Sequence, residues 1–460
     1  MDMTAIHKIY MLGIGGIGMS ALARYFKLQG CEVFGYDKAV TKLTDKLMAE
    51  NINITFDDRV ENIPENIDLI IYTPAIPTNN NLFIYFSSGE IPFKKRSDIL
   101  FELTKGKTTI AVAGTHGKTT ISAMVAHILN HSGYGCTAFV GGIMTNYASN
   151  FLYNENNTIV VEADEYDRSF LKLAPNISVI SAMDKDHLDV YGSTEELANN
   201  FNQFANQTVK GGTLICHQNV KDKLKVNGLN VFDYNRSDKG ADYIAKDIVI
   251  NDAVYTFNII NPKGTMGAVK LTMGGQHNIE NALAATAVAQ QVGIENDKIT
   301  AALADFKGVK RRFEYVVRTK DYVYIDDYAH HPVEIENLLA SVRTLYPNKQ
   351  ITVIFQPHLF SRTKDLLDGF VTSLANCDKL YLLDIYPARE LPIPGVTSNL
   401  ILDKVDVLDK KLISQLDLLS ELQKNDFEVI LTVGAGDIDQ LVETIKNLVL
   451  DKVSNKAQAI

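Results

Sequence analysis

The chain has 460 residues, 46% of them hydrophobic and 22% charged, with a formal net charge of -10 at pH 7. At roughly 150 residues per domain this is too long for one ordinary core and points to about three domains. The acidic balance excludes a general nucleic-acid binder, which needs a basic face, and no apolar run approaches the roughly 20 residues of a membrane helix.

The first residues, MDMTAIHKIYML, lead directly into a strand-like run and lack the length and cleavage signal of a secretory peptide, so a cytoplasmic protein is expected. Cys31, Cys136, Cys216 and Cys377 are scattered, form no C-x-x-C pair and read as small buried residues in a reducing compartment.

After KIYML (8–12) comes Gly13-Ile14-Gly15-Gly16-Ile17-Gly18, a G-x-G-x-x-G turn that opens the helical stretch beginning Met19-Ser20. Glycines at such a strand-to-helix turn let backbone N–H groups approach a diphosphate at the helix N-terminus. Asp37 ends the next strand, CEVFGYD (31–37), where a carboxylate accepts from ribose hydroxyls. The motif by itself does not separate a dinucleotide such as NAD from a UDP-sugar.

A third strand, DLIIYTP (68–74), precedes a second loop. TTIAVAG (108–114) runs into AGTHGKTT (113–120), and ISAMVAHILN continues as a helix. Gly117, Lys118 and Thr119 match the second half of a Walker loop, whose first glycine is replaced by Val112, and His116 sits inside the turn. In this geometry Gly114, Thr115, His116, Gly117 and Thr120 line the phosphates, Lys118 supplies a point charge and the Thr119 hydroxyl reaches a magnesium ion.

Further strands carry the next candidates. Glu162 ends a strand in NTIVVEAD (157–164), and His187 follows ISVISAM (177–183). Ligands collect outside the carboxyl ends of strands in open α/β sheets, so both belong near the γ-phosphate; Glu162 there is a natural magnesium ligand, whereas a histidine is an unusual one and His187 reads equally as structural. Asp164, Glu165 and Asp167 read as a solvated acidic turn. The stretch 207–270 has short strands and many turn residues and is expected to form an antiparallel insertion. YVYID (322–326), ITVIFQP (351–357), KLYLLDIYP (379–387) and FEVILTVGAG (427–436) then resume the alternation of strand and helix.

Five motifs occur in the order found in the Mur ligases, and the chain resembles that family over its whole length. They are AGTHGKTT, VVEADEYDRSF, SAMDKDHLDVYG, GGQHNIENALAA (274–285) and GVKRRFE (308–314). GIGGIGMSALAR, DDYAHHPVEI (326–335), FQPHLFSRT (355–363) and VGAGDI (433–438) strengthen the likeness. The resemblance implies a three-domain α/β fold: a Rossmann-like UDP-sugar domain (1–106), a central ATP-binding domain of P-loop type with a mostly parallel sheet and an antiparallel insertion (107–315), and a Rossmann-like amino-acid domain (316–460). It implies that ATP drives the joining of L-alanine to UDP-N-acetylmuramate, in a monomer or homodimer, with Mg2+ or Mn2+ held by Thr119, Glu162 and His187.

In the same resemblance Asn278 is an adenine contact, Arg312 a γ-phosphate contact and Asp327 a nucleotide contact. Tyr328, His330, His358, Arg362 and Arg389 belong to the carboxylate and amino-acid site, and the UDP diphosphate lies on Gly13, Gly15, Gly16, Gly18, Met19 and Ser20 with Asp37 nearby. Tyr328 equally fits as filler of a domain interface, and one of His330 and His331 as a residue that caps or packs at the helix start before Pro332. Leu359 departs from the arginine usual after F-Q-P-H in the family. Arg389 or Arg362 is then expected to supply that charge, and Tyr166 keeps open a relative that attaches a whole tripeptide to the same sugar. A nicotinamide oxidoreductase would use the first loop but leaves Lys118, Glu162 and Arg312 unexplained.

Overall fold

The computed structural model describes residues 3–165, 168–184, 191, 193–237, 240–388 and 390–458. Among them three sheets form. The chain divides into two compact units, one of Met1–Lys246, Asn258–Val269 and Glu280–Phe306, the other of Asp247–Phe257, Lys270–Ile279 and Lys307–Ile460.

The N-terminal sheet has five strands: β1 (Lys8–Leu12), β2 (Glu32–Tyr36), β3 (Asn53–Thr55), β4 (Leu69–Tyr72) and β5 (Phe93–Lys95). Their order is β3-β2-β1-β4-β5 and every pairing is parallel. The order reverses direction at β1, and there the chain enters the first glycine turn and α1 (Ile17–Leu28). Both faces of β1 are covered, as its unbroken apolar run requires in a parallel sheet.

The central sheet has the order β15-β14-β13-β12-β11-β10-β6-β9-β7-β8. It comprises β6 (Thr108–Ala113), β7 (Thr137–Met144), β8 (Ser149–Leu152), β9 (Thr158–Glu162), β10 (Ile177–Ile180), β11 (Thr213–His217), β12 (Asn230–Asn235), β13 (Tyr243–Asn251), β14 (Val254–Asn261) and β15 (Gly264–Leu271). β6 lies between β9 and β10, parallel to both, and feeds α2 (Lys118–His131). The stretch expected to be antiparallel from 207 is so only in part. β11 and β12 extend the parallel sheet, and β12 also pairs β13 in parallel. Only β13 to β15 run as hairpins, joined through Asp252-Ala253 and Pro262-Lys263, links too short for anything but reversal. Short strands rich in turn residues do not themselves disclose direction.

α1 joins the first two sheets within one core. Tyr25 packs on Phe26, Phe139 and Phe151, and apolar side chains of both sheets fall in one buried cluster. Its polar seam is satisfied too: Arg24, largely buried, donates to Glu50 at 2.7 Å and to Asn150 at 2.6 Å, and Asn150 donates to the Ser20 hydroxyl at 3.0 Å. A buried guanidinium needs such partners, since an unpaired one costs several kcal/mol by the usual estimate of about 3–5 kcal/mol.

The second unit is built on β16 (Glu314–Arg318), β17 (Val323–Asp327), β18 (Ile351–Phe355), β19 (Lys379–Leu382), β20 (Asp409–Leu412) and β21 (Val429–Val433). Their order is β16-β17-β21-β18-β19-β20, with β16 antiparallel to β17 and the other pairings parallel. The four cysteines are buried thiols.

Candidate functional site

The first glycine loop is held by backbone groups and one carboxylate. The Gly13 and Ile14 N–H groups donate to the Tyr36 carbonyl at 2.8 and 3.1 Å. The Gly15 N–H donates to Asp37 Oδ2 at 2.8 Å, so the acid expected near a ribose steadies the turn in this structure. A Cβ on Gly15 would stand 2.8 Å from that oxygen and 2.7 Å from Thr44 Cγ2, which leaves room for glycine alone. Gly16 caps α1, and Met19 and Ser20 are buried in its first turns. Gly18 lies under the Arg96 side chain, whose Nη1 would be 2.7 Å from a Cβ there. Arg96 was not singled out from sequence. It sits far along the chain in no motif, and only the β5 register brings it to the loop.

The second loop is charged. Gly114 takes φ 131 and Gly117 φ 81, both in the region that favours glycine, and Gly117 is the N-cap of α2. Thr115 accepts from the Asp184 N–H at 3.1 Å. His116 contributes its carbonyl to the Ser181 hydroxyl, and its ring stands 3.7 Å from Asp184. Thr119 and Thr120 are buried in the first turn of α2.

Lys118 Nζ donates to the Gly114 carbonyl and to Glu165 Oε1, both at 2.8 Å. Burial favours its neutral form, but the charges of Glu165, Asp164 and Glu162 outweigh that and raise its pKa, so it is an ammonium. Glu165 is completely buried, against the solvated turn expected of it; burial pushes its carboxyl up while Lys118 pulls it down. Glu162, at the end of β9, accepts from the Thr119 hydroxyl at 2.9 Å and from the Gly141 N–H at 2.8 Å. The parallel pairing of β6 with β9 puts Val112 opposite Glu162, which is why the two ends meet. Thr119 and Glu162 make a hard-oxygen pair suited to a magnesium-like cation. His187 lies outside the described residues.

In the second unit the chain 308–313 is tightly wound. Arg311 and Phe313 take φ 61 and φ 47, conformations non-glycine residues adopt only when the surroundings impose them. The Phe313 N–H donates to Asp327 Oδ2 at 2.7 Å, and its ring fills the space over Gly274. Arg311 pairs with buried Asp326 at 3.2 Å. Arg312 lies over the Tyr328 ring, 5.2 Å from its centroid. Asp327, expected to contact nucleotide, also accepts from the Ala329 N–H at 2.8 Å; burial raises its pKa against those bonds. Asn278 is buried and donates to the Gly274 carbonyl at 2.6 Å.

The amino-acid candidates gather on the same sheet. His330 lies 5.2 Å from Tyr328 and 6.1 Å from His358 between ring centroids. Its Nδ1 donates to the Tyr328 carbonyl at 3.0 Å, which leaves Nε2 as an acceptor. Burial lowers its pKa, with Glu334 opposing. His358 stacks on Tyr386 and meets Arg362 at 3.4 Å; burial, then Arg362 and His330, hold it at about 4. Both imidazoles are therefore neutral at neutral pH. Of the two histidines before Pro332, His331 is the one that caps the start of α3 (Pro332–Leu345), its side chain accepting from the Val333 N–H. Leu359 takes φ 72. Glu390 accepts from the Ser361 N–H at 3.0 Å, and Arg389 lies outside the described residues.

Three family descriptions match in succession: "Mur ligase family, catalytic domain" over residues 8–108, "Mur ligase middle domain" over 112–289, and "Mur ligase, glutamate ligase domain" over 311–436. The chain is 44% identical over 457 residues to a UDP-N-acetylmuramate–L-alanine ligase of Cytophaga hutchinsonii, covering 97% of this chain and 98% of that one. It is 46% identical over 450 residues to the ligase of the same name from Flavobacterium psychrophilum, covering 97% and 99%. Among solved structures it matches the UDP-N-acetylmuramate-alanine ligase MurC of Thermotoga maritima with TM-score 0.82 at 30% identity, over 97% of this chain and 99% of that one. A murein peptide ligase of Psychrobacter arcticus has the same fold, with TM-score 0.72 at 23% identity over 96% and 98%.

Proposed function

The chain belongs to the Mur ligase family, and from that premise we propose that it joins L-alanine to the lactyl carboxylate of UDP-N-acetylmuramate, with ATP converted to ADP and phosphate, in peptidoglycan precursor synthesis. The observation that carries this reading is full-length identity of 44% and 46% to two ligases named for that reaction.

The work divides along the chain as 1–106 for UDP-sugar, 107–315 for ATP and 316–460 for the amino acid. The first loop offers amide donors at a helix N-terminus to the diphosphate of UDP. Lys118 supplies the fixed cation of the second loop, the family resemblance assigns Arg312 to the γ-phosphate, and alignment with charge neutralisation is most of what phosphoryl transfer asks of a protein. The oxygens of Thr119 and Glu162 would hold Mg2+, with His187 as a third ligand; the cation neutralises charge on the phosphates. The lactyl carboxylate attacks the γ-phosphorus and forms an acyl phosphate; the alanine amine then attacks the acyl carbon, and phosphate leaves. Arg362 offers its charge to a carboxylate, and His330 offers the lone pair of Nε2 towards an amine. These C-terminal residues supply the amino-acid end of the site, where Leu359 leaves Arg362 to stand in for the arginine usual in relatives.

Phosphate release should be measured with UDP-N-acetylmuramate and, in turn, L-alanine, L-serine, glycine and a tripeptide. Release with L-alanine in preference to the tripeptide is expected. Release with the tripeptide but not with L-alanine would move the assignment to the peptide-attaching relative.

A further inference from the structure

Among the described residues of its turn, Glu165 is the acid that the fold takes wholly out of solvent; Asp167 lies outside them. The turn that carries it is fixed from several sides. The Glu165 carbonyl accepts from the Arg168 N–H at 2.9 Å and from the hydroxyl of buried Tyr191. Arg168 adopts φ 58, lies over the Tyr191 ring and pairs with Glu196. The Ser169 hydroxyl donates to the Asp164 carbonyl at 3.2 Å. A carboxylate anchored this firmly has little freedom to move, and its Oε1 is 2.8 Å from Lys118 Nζ.

We propose that Glu165 is the positioning residue for Lys118. Lysine is a point charge on a flexible four-carbon stem, so its direction has to be set by what it touches. Two of its three N–H bonds are taken up by the Gly114 carbonyl and Glu165. The third is thereby aimed, and the ammonium meets a phosphate oxygen already oriented. Desolvating a lysine–glutamate pair stabilises a fold weakly or not at all, because the loss of hydration offsets the attraction. Its place here is explained by the geometry it gives the lysine. Glu165 acts through Lys118 and touches no substrate. This inference rests on the second loop being the ATP site.

Glu165→Gln in the full chain tests it, because glutamine keeps the shape and removes the charge. Turnover is measured as phosphate release with UDP-N-acetylmuramate and L-alanine, and ATP and UDP are titrated separately by calorimetry. We expect kcat to fall about 10- to 100-fold, as misalignment of a reacting group does. ATP affinity stays the same or rises, because an anion has been removed from beside the polyphosphate. UDP affinity is unchanged. Glu165→Asp, which keeps the charge but draws it back by one carbon, falls between the two in kcat. Glu165→Gln with kcat within about twofold of the wild type overturns the proposal, and so does a loss of kcat matched by equal losses of ATP and UDP affinity. Wild-type protein that binds UDP but no ATP overturns the reading of the loop itself.

Discussion

The glycine loops at 13–18 and 113–120 start from the same plan: a buried parallel strand, a glycine turn and a helix that begins beneath the turn. They differ in what closes them. In the first loop Asp37 accepts a backbone N–H. In the second, a partly buried ammonium lies between a carbonyl and a buried carboxylate, with Glu162 held beside it by Thr119 and Gly141. On the function proposed above, the first loop holds an anion and the second directs charge at one. Backbone amides suffice for retention, whereas a reaction between two anions needs oriented cations.

The largest expected effect separates the loops outright. Lys118→Ala should lower ligation by at least about 1,000-fold, the scale for losing a fixed charge at a reacting phosphate. UDP affinity measured by calorimetry should remain. Parallel loss of UDP binding would mean the loops do not act separately.

A second contrast lies in the helices behind the loops. α2 carries buried His127, whose Nε2 faces the Ala302 carbonyl at 3.0 Å and whose Nδ1 faces the Tyr147 hydroxyl at 2.9 Å. Burial lowers its pKa from 6.5 to about 4, against the pull of Asp305. The folded state thus binds the proton less well than the unfolded chain. The stabilisation from neutral His127 is complete above about pH 6.5 and is lost as pH falls towards 4, about 3 kcal/mol in all. Denaturant melts between pH 7 and pH 4 should show a steeper fall for the wild type than for His127→Gln; equal slopes would remove His127 from the account.

Two smaller changes probe the first loop. Gly15→Ala should weaken UDP binding by about 10- to 100-fold, because the new Cβ forces Asp37 and Thr44 away, while ATP affinity holds. Asp37→Asn should cost threefold or less, roughly, since the amide oxygen still accepts the Gly15 N–H. A large loss with Asp37→Asn would show that the charge itself acts on the ligand.

Both loops were legible in the sequence because glycine spacing at a strand-to-helix turn is a local signal. So was Glu162, since a strand-end acid beside a phosphate loop follows from parallel pairing. The burial of Glu165 was not legible. It depends on Arg168 taking a left-handed conformation and on Tyr191 reaching back to the turn, and neither has a local signature. The short strands β3 and β5 and the direction of β11 and β12 were likewise hidden, because three to six residues carry too little periodicity to be read alone. The continuity of the first two sheets through α1 also escaped a reading that began from length and domain count. It arises from Arg24, Asn150 and an aromatic cluster assembled from distant segments.

The central claim is that the second loop activates the carboxylate carried by the ligand of the first. UDP-N-acetylmuramate labelled with heavy oxygen in its lactyl carboxylate, turned over with ATP and L-alanine, tests it most directly. The account predicts that one labelled oxygen per turnover appears in the released phosphate and the other stays in the new amide. Phosphate released without label, at the same rate as amide formation, would contradict it.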